Sequence, residues 1–571
     1  MVFYPPSWVP KPPHEAPDSV PIHEFMRNGT YGRQPFEKSR NPFTCGLTGR
    51  TYTPAELFVR SDHLMRTLAR RTGWAPNDNL TPWEKVVAIF SINTIDYMLP
   101  LYAAHGLNGI VSPVNAAYTA GELEYQLRSS GARVLFTCAP LLDIALRAVD
   151  AVGLERNNVF LMPTVDNEAA IAQIPFPTIE ELILEGQLLE PLQPLRWLKG
   201  QGRRQVAFIN YSSGTSGLPK AVMISHYNVI SNVLAHVAYD SVAREQKGVE
   251  TEVVLGLVPM SHMFGLLVVS HTATWRGDEI IVLPGFDIVS FLNAIQQFRI
   301  EHLMVVPPML ISILQKKELC SSYDLSSVRF VFSGAAPLGE ETISELAKIY
   351  PKWQVGQAYG MTETAVIVSN TSEHDVVSKS SGSLLPGVRI KLVDLVSGKE
   401  ITEYNMPGEL WVQSPSVVLG YLNNEKATAD TFVSDAHGRW IRTGDEVYVT
   451  KSPQGNEHIV VVDRIKELIK VNGYQVAPAE LEAHILTHPA VSDVAVIQVP
   501  NERSGEVPKA YVVTAPEYKN MPSDKIATLV TQHVADHKAP YKWIKGGVET
   551  VDAIPKSPSG KILRRLLRDR E

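Results

Sequence analysis

The sequence predicts an α/β fold with a large N-terminal domain of parallel-type sheets covered by helices, a β-rich subdomain and a small α+β C-terminal domain. The 571 residues are enough for two to four domains at roughly 150 residues each. Short apolar runs alternate with stretches of helical spacing through most of the chain. The pattern changes after about Leu384 and again at Lys466, so we expect domains at residues 1–465 and 466–571.

The alternating part begins with a predicted strand, helix and strand at residues 86–90, 95–105 and 109–113. Further apolar runs of strand length lie at residues 134–136, 253–258, 280–283, 302–306 and 328–332, and residues 289–298 have helical spacing. This alternation is typical of parallel sheets covered by helices, which bind ligands at the carboxyl ends of their strands.

The later part of the chain has a different spacing of elements. Closely spaced strands with Gly and Pro turns are predicted at residues 388–393, 408–412 and 458–462. Beyond Lys466, helices are predicted at residues 479–486 and 526–537, and strands at residues 494–499 and 510–513. The first group indicates the β-rich subdomain and the second the α+β domain.

Composition excludes several classes of protein. The 53 Lys and Arg residues are outnumbered by 60 Asp and Glu residues, for a net charge of -7, so nucleic acid is not an expected partner. Cys45, Cys138 and Cys320 are odd in number and far apart. This spacing argues against a disulfide framework or a structural zinc site and favours a reducing compartment.

The uncharged run at residues 253–275 reaches the length of a membrane span. Pro259 and His262 interrupt it, so we interpret it as a buried strand, a loop and a helix, and expect no membrane span. The Pro-rich leader indicates an extended surface arm rather than a signal peptide. The chain ends at Glu571 without a peroxisomal tripeptide. We expect a cytoplasmic location, or a peroxisomal one if the native C-terminus extends further.

A loop rich in Ser, Thr and Gly follows the apolar run at residues 206–209. Its sequence, YSSGTSGLPK at residues 211–220, can direct amides and hydroxyls at an anion and ends in a lysine. A Walker loop is rejected because Pro219 stands at the second glycine position and Ala221 at the hydroxyl position. A flexible Ser/Gly linker is the alternative. The candidate phosphate-binding residues are Ser212, Ser213, Gly214, Thr215, Ser216, Gly217 and Lys220.

This loop resembles the signature loop of the adenylate-forming superfamily, which includes acyl-CoA synthetases, 4-coumarate:CoA ligases and luciferases. Further matching segments occur in the same order, at residues 357–364 (QAYGMTET), 442–446 (RTGDE), 462–470 (VDRIKELIK), 473–480 (GYQVAPAE) and 555–561 (PKSPSGK). The resemblance extends from about Phe43 to Arg565. Residues 42–50 (PFTCGLTGR) and 476–480 (VAPAE) are most similar to fungal aryl- and acyl-CoA ligases of the phenylacetyl-CoA ligase kind.

The resemblance implies that Glu363 holds Mg²⁺ and that Thr362 contacts the α-phosphate of ATP. One carboxylate is chemically sufficient, since Mg²⁺ often binds one or two carboxylates together with phosphate oxygens and water. An exposed loop charge is the alternative for Glu363. The reaction needs no general base, because a carboxylic acid substrate is already ionised at neutral pH.

The nucleoside site implied by the resemblance centres on Asp445, whose carboxylate would accept both ribose hydroxyls. Arg464 would lie at the same end, and Tyr359 would stack on the adenine, with a core aromatic residue as the alternative. The loop after the strand at residues 328–332 would form the adenine wall. The remaining nucleotide-site candidates are Gly334, Ala335, Ala336, Pro337, Gln357 and Gly360.

The C-terminal domain is implied to be mobile, with Lys466 at its hinge. Lys561 would bridge the substrate carboxylate and the α-phosphate, whereas the arginines that follow it are interpreted as a solvated helix face. Lys470 and Gln475 match positions that contact the adenylate. Gly473 matches a glycine that borders the CoA tunnel, with a tight-turn glycine as the alternative.

His262 resembles the aromatic gate beside the acyl carboxylate, although a lone histidine is more often a core residue. Apolar side chains are expected to line the acyl pocket: Met263, Phe264, Phe332, Val366 and Ile367. Coumarate ligases commonly have a lysine where this chain has Phe332. An apolar residue cannot satisfy a buried phenol hydroxyl, so we expect an arylalkanoate or medium-chain acid without a para-hydroxyl.

The resulting hypothesis is an acid:CoA ligase that uses Mg²⁺, ATP and CoA and acts as a monomer or weak homodimer. Two alternatives remain open. The acyl group could pass to a carrier-protein thiol, although no carrier domain follows Lys561. The chain could also be a non-catalytic nucleotide or acyl sensor. The presence of a full set of candidate site residues argues against this alternative: Lys220, Glu363, Asp445 and Lys561.

Overall fold

In the computed structural model, the described residues are 1–164, 174–212, 219–472, 474–501, 503–557 and 560–571. The described strands form four sheets. Three of them belong to the larger, N-terminal part of the chain, and the fourth is formed after Lys466. The predicted α/β class, with a large N-terminal and a small C-terminal domain, is confirmed.

The first sheet is mainly parallel and fully buried at its centre. Its described strands, in spatial order, are Gly420–Tyr421, Lys220–Ser225, Val206–Ser212, Ile110–Val114, Val86–Phe90, Val134–Cys138 and Val159–Met162. The last five strands run parallel to one another. The first of these five, Val206–Ser212, is antiparallel to its other neighbour, Lys220–Ser225. The candidate phosphate loop therefore connects two adjacent strands.

The second sheet contains the strands from which the site is built. Its described strands, in spatial order, are Ser383–Leu384, Val366–Asn370, Gln354–Met361, Phe330–Ser333, His302–Val305, Val253–Gly256, Glu279–Val282, Phe43–Cys45 and Thr51–Tyr52. The pairs from Gln354–Met361 to Phe43–Cys45 are parallel. Helix His226–Lys247 contacts strands of both parallel sheets and buries its apolar residues between them.

The third sheet is the predicted β-rich subdomain. Its described strands are Val2–Phe3, Arg389–Val393, Gly408–Gln413, Phe432–Asp435, Gly438–Lys451 and Glu457–Arg464, all paired antiparallel. The expectation of a surface arm at the N-terminus is wrong for its first residues. Val2 pairs with Lys391, and Phe3 is buried with its ring 5.9 Å from that of Tyr404. The apolar side chain of Phe3 accounts for this docking.

The fourth sheet lies wholly after the predicted hinge. Its described strands are Ile469–Val471, Tyr474–Val476, Val491–Asn501, Gly505–Thr514 and Val548–Thr550. Helices Pro478–Ile485 and Ser523–His537 contact each other and share a separate apolar core with this sheet. This core supports the prediction of a compact α+β unit.

The described α-helices are Ile22–Arg27, Pro54–Thr72, Met98–Gly106, Ala120–Ser130, Leu142–Val152, Ile179–Gln187, Gln201–Arg204, His226–Lys247, Ala273–Arg276, Ile288–Phe298, Pro307–Gln315, Lys317–Cys320, Glu340–Ile349, Glu425–Thr431, Pro478–Ile485, Ser523–His537 and Arg564–Arg568. A π-helix, Phe264–Thr272, occupies the apolar run that has the length of a membrane span. Among the described helices, none is both long and apolar enough to cross a bilayer.

Candidate active site

Two adjacent parallel strands carry the residues at the centre of the site. Strand Phe330–Ser333 pairs with strand Gln354–Met361, with Ser333 opposite Gln357. Because the carboxyl ends of parallel strands meet at one sheet edge, the loop after Ser333 and the turn Thr362–Thr364 lie at the same edge. This agrees with the predicted position of a ligand site.

Gln357 fixes the loop that was expected to form the adenine wall. Its side-chain oxygen accepts a hydrogen bond from the Leu338 amide at 2.8 Å, and its side-chain nitrogen donates to the Leu338 carbonyl at 3.3 Å. Within that loop Ala335 has a φ of 69°, a conformation that L-residues adopt at a cost. The buried amide of Gln357 therefore holds a strained loop in place.

Asp445 is buried and has two defined neighbours. The Tyr359 hydroxyl donates to its Oδ2 at 2.6 Å, and Nε of Arg464 lies 3.6 Å from its Oδ1. Arg464 faces Asp445 directly across paired strands of the third sheet. Burial raises the pKa of Asp445, and Arg464 and Tyr359 oppose that shift. The structure thus brings together Asp445 and Arg464, the two residues expected at the ribose end, with Tyr359, which was expected at the adenine.

Glu363 lies in the turn that follows strand Gln354–Met361 and is buried. Its Oε1 accepts a hydrogen bond from the Tyr421 hydroxyl at 2.9 Å. Among the described residues no hydrogen bond reaches its Oε2, so this oxygen remains available to a cation. The Lys220 ammonium lies 4.6 Å from the centre of the Tyr421 ring. Tyr421, which no motif indicated, therefore connects Glu363 to the lysine of the phosphate loop.

Lys561 reaches this group from the C-terminal domain. Burial and the nearby Arg464 guanidinium lower the pKa of Lys561 to about 8, and three carboxylates, those of Glu467, Asp445 and Glu363, oppose that shift. The preceding Gly560 has a φ of 80° and lies against Val306 and Pro308, at the carboxyl end of strand His302–Val305. Lys561 therefore lies near enough to Asp445 and Glu363 for their charges to act on it, and Gly560 brings this segment against the N-terminal domain.

The interpretation of the arginines after Lys561 as a solvated face is wrong for Arg564. This side chain is buried and forms ion pairs with Glu467 and with Glu482, the latter at 2.7 Å, and donates to the Val496 carbonyl at 3.1 Å. A buried guanidinium is stable only with such partners. Arg564 thus anchors the segment that carries Lys561 to the core of its domain.

His262 lies at the start of the acyl region. Burial and the Lys561 ammonium lower the pKa of His262 to about 4, so the imidazole is neutral at pH 7. Its Nδ1 accepts a hydrogen bond from the Phe264 amide at 3.3 Å, which requires the proton to be on Nε2. The neutral ring can therefore donate from Nε2 to an oxygen of a bound acid.

The expected acyl-pocket residues are all buried: Met263, Phe264, Phe332, Val366 and Ile367. The rings of Phe264 and Phe332 are 5.7 Å apart. A Cβ on Gly334 would lie 3.3 Å from the Phe264 ring, so this glycine lets the adenine-wall loop approach the pocket. Val366 has a φ of 90° and pairs with Met361 of the neighbouring strand.

Several predicted site residues lie elsewhere. Lys470 and Gln475 face each other across a hairpin of the C-terminal domain, and both are exposed, as is Lys466. The described contacts do not connect these three to Asp445 or Glu363. Ser212 ends its strand at the edge of the described residues. Ser213, Gly214, Thr215, Ser216, Gly217 and Gly473 lie outside the described residues.

Comparison with known proteins defines the class of this chain. The model of the AMP-binding enzyme family matches residues 34–422, and that of the AMP-binding enzyme C-terminal domain matches residues 480–561. The first match alone spans more than half of the chain. The chain therefore belongs to the AMP-binding enzyme family. Its predicted membership in the adenylate-forming superfamily is confirmed, and so is the prediction that it is a ligase.

Fungal relatives match along the whole chain. Acyl-CoA ligase AKT1 of Alternaria alternata is 40% identical over 571 residues, which cover 100% of this chain and 97% of that protein. Acyl-CoA ligase cm3C of Cordyceps militaris is 38% identical over 588 residues, with 100% and 90% coverage.

Two solved structures resemble the fold. The anthranilate CoA ligase AuaEII in complex with anthranoyl-AMP has a TM-score of 0.78 at 22% identity, covering 98% of this chain and 99% of that one. ATP-bound MatB from Rhodopseudomonas palustris has a TM-score of 0.76 at 24% identity, covering 97% and 99%. At these identities the similarity establishes the fold alone.

Proposed function

We propose that this chain is an ATP-dependent carboxylic acid:CoA ligase that forms an acyl adenylate and then an acyl-CoA thioester. The observation that carries the proposal is that the segment with Lys561 packs against the N-terminal domain through Gly560, with Lys561 within electrostatic range of Asp445 and Glu363. The full-length similarity to fungal acyl-CoA ligases supports it. We further propose residues 1–465 and 466–571 as the two domains.

In the first step, a carboxylate oxygen of the acid attacks the α-phosphorus of ATP. The bond to the oxygen that bridges the α- and β-phosphorus breaks, and pyrophosphate leaves with that oxygen. The carboxylate and the phosphate repel each other, so the step needs a cation between them. Lys561 is suited to this position as a compact charge on a flexible stem. His262 stays neutral and can orient the second carboxylate oxygen through Nε2.

The nucleoside end is proposed to bind at Asp445. The hydrogen bond from Tyr359 occupies only Oδ2, which leaves lone pairs on both carboxylate oxygens for ribose hydroxyls. Arg464 favours the ionised form of the carboxylate, whereas burial opposes it. The loop held by Gln357 provides a flat wall of small residues for adenine, with Thr362 directed at the α-phosphate.

Glu363 is the proposed Mg²⁺ ligand. The donor set fits the ion, since a buried carboxylate with one oxygen held by Tyr421 leaves a hard oxygen ligand in a fixed position. The ion would neutralise charge on the phosphates of ATP and on departing pyrophosphate. The Lys220 ammonium lies over the Tyr421 ring and would add a second cation beside the phosphates.

The acid is proposed to be an arylalkanoate or medium-chain acid without a para-hydroxyl, because the apolar Phe332 cannot satisfy a buried phenol hydroxyl. Phe332 also lines a partly open space with Val268 and Met304, whose other walls include the charged Arg244 and Glu252. Phe332→Ala is expected to enlarge the acyl pocket and to favour longer acids, whereas Phe332→Lys is expected to favour acids with a distal hydroxyl.

In the second step, the CoA thiolate attacks the acyl carbon and AMP leaves. Lys561 occupies the site in the present orientation, so the thiol needs the C-terminal domain to turn away. We propose Lys466 as the hinge, because it is exposed in the turn between the third and fourth sheets. Lys470, Gln475 and Gly473 lie on the part that would move.

A panel of carboxylic acids tests the proposal. Purified enzyme with MgATP is expected to release pyrophosphate only when a suitable acid is present, and to form acyl-CoA detectable by mass when CoA is added. Accumulation of acyl-AMP without thioester would favour transfer to a carrier-protein thiol. A non-catalytic sensor would release no pyrophosphate with any acid, and that result would refute the ligase proposal.

A further inference from the structure

A group of histidines lies on the C-terminal domain, away from the site described above. Helix Pro478–Ile485 and the turn after it carry His484 and His488, and helix Ser523–His537 carries His533 and His537. We call these four residues the histidine cluster. The proposed reaction assigns no role to any of them.

The rings of the histidine cluster are in close contact. The His484 and His533 rings are stacked 4.3 Å apart, and His537 lies 5.2 Å from each of them. One ligand nitrogen from each of these three residues lies within 4.8 Å of the others. The fourth ring, that of His488, lies 5.2 Å from His533. Three imidazoles on two helices therefore converge on one point.

The hydrogen bonds of the three rings indicate which nitrogen of each ring is free to bind a metal. Nε2 of His484 faces the His533 carbonyl at 3.3 Å, and Nε2 of His533 faces the His484 carbonyl at 3.3 Å. Nδ1 of His537 faces the His533 carbonyl at 2.9 Å. A ring nitrogen that donates to a carbonyl carries the proton, which leaves a lone pair on the other nitrogen. Nε2 of His533 also lies 3.0 Å from the Thr487 hydroxyl; that hydroxyl donates to the His484 carbonyl at 2.7 Å, so it can accept a hydrogen bond from Nε2.

His488 differs from the other three. Its Nδ1 accepts a hydrogen bond from the Ala490 amide at 3.2 Å, so this nitrogen is occupied and the proton lies on Nε2. The ring therefore has no lone pair to offer in this arrangement. His488 thus lies in the histidine cluster without being suited to act as a ligand.

We propose that His484, His533 and His537 form a binding site for a divalent transition metal of the Zn²⁺ type. Zinc bonds to histidine nitrogen at about 2.0–2.1 Å in tetrahedral geometry, so the three nitrogens, which lie within 4.8 Å of one another, would have to move closer, and the stacked rings of His484 and His533 would have to tilt apart to share one ion. Water would occupy the fourth position. The chemical class is set by the all-imidazole donors, which suit zinc, copper and nickel rather than Mg²⁺.

The position of the site indicates what the ion would do. Helix Pro478–Ile485 also carries Glu482, which pairs with Arg564 near Lys561. The adjacent Ala483 packs against Gly339 of the N-terminal domain. A Cβ placed on Gly339 would lie 3.0 Å from the Cβ of Ala483. An ion that joins this helix to helix Ser523–His537 would brace the face of the C-terminal domain that docks against the N-terminal domain.

The test is metal binding to the full-length, untagged enzyme after treatment with a chelator. Co²⁺ is titrated while its visible absorption is recorded, and Zn²⁺ is then used to displace it. We expect one equivalent of Co²⁺ per chain with the intense absorption of a tetrahedral site. Since losing a residue that merely supports a ligand costs 10- to 100-fold in affinity, His537→Gln is expected to weaken binding by at least about tenfold.

Two matched variants make the test specific. His488→Gln changes a histidine of the same cluster that is not a proposed ligand, and His437→Gln changes an exposed histidine elsewhere; both are expected to bind as the unmodified enzyme does. His537 is exposed at the end of its helix, so its replacement leaves the fold intact, which circular dichroism checks. Binding that is octahedral, or that is equally affected by all three variants, would overturn the proposal. Neither result depends on ligase activity.

Discussion

Replacing Lys561 by alanine tests the central electrostatic argument. The side chain approaches Asp445 and Glu363, and its pKa is lowered to about 8, so at pH 7 about nine in ten molecules carry the charged form. Loss of one fixed donor to developing charge typically costs about 10²- to 10³-fold in rate, or about 2.7–4 kcal/mol. We expect Lys561→Ala to slow adenylation by that factor.

The two half-reactions separate this role from a general defect. Adenylation is followed by pyrophosphate release from acid and MgATP. Thioester formation is followed by acyl-CoA production from added acyl-AMP and CoA. Since Lys561 must leave the site before the thiol enters, we expect the second half-reaction to be nearly unchanged in Lys561→Ala.

The matched control for Lys561→Ala is Lys556→Ala. Lys556 is in the same C-terminal segment, and its ammonium pairs with Asp493 at 2.6 Å, away from the site. This partly exposed pair is worth at most about 1 kcal/mol, so the control reports any loosening of the segment. Equal loss of both half-reactions in Lys561→Ala, or unchanged adenylation, would refute the reasoning.

Three further predictions follow from charges that the structure places. As pH rises through about 8, Lys561 loses its proton, so kcat/KM for adenylation should fall above that pH. In Lys561→Arg this decrease should begin at a higher pH, because a guanidinium stays charged. Asp445→Asn should raise KM for ATP by about 10- to 100-fold, the cost of a hydrogen bond to a charged group, with KM for the acid little changed. Burial opposes ionisation of Glu252, but His302 and nearby arginines hold its pKa well below 4.5. The stability contributed by Glu252 is therefore complete at neutral pH and is lost as pH falls below about 4.5 towards the folded-state pKa. In Glu252→Gln, the free energy of unfolding should fall less between neutral and acidic pH than it does in the unmodified enzyme.

Much of the fold could be predicted because its strands are short apolar runs with local signals. The predicted strand at residues 328–332 is Phe330–Ser333, and the predicted helix at residues 479–486 is Pro478–Ile485. Hydrophobic periodicity is a local property, so it locates an element to within a few residues. Motif order then indicated Asp445, Glu363 and Lys561, which the structure brings together.

Residues that act through distant partners could not be predicted in this way. Arg564 looked solvated because its neighbours in sequence are charged, yet its partners Glu467 and Glu482 are 97 and 82 residues away along the chain. The pairing of Tyr421 with Glu363 spans 58 residues. Such contacts depend on how the sheets pack, and no spacing rule within one element reports them.

The walls of the acyl pocket show a further limit of sequence motifs. Ala335, Ala365 and Val366 all have positive φ, and for a β-branched residue such as Val366 this is a strained conformation. Strain of this kind costs about 1–3 kcal/mol per residue and persists only where neighbours enforce it. Gly360 provides the space, because a Cβ there would lie 1.6 Å from the Val366 carbonyl oxygen. The backbone at Val366, an expected acyl-pocket residue, therefore has a conformation that the apolar side chains of the motif do not specify by themselves.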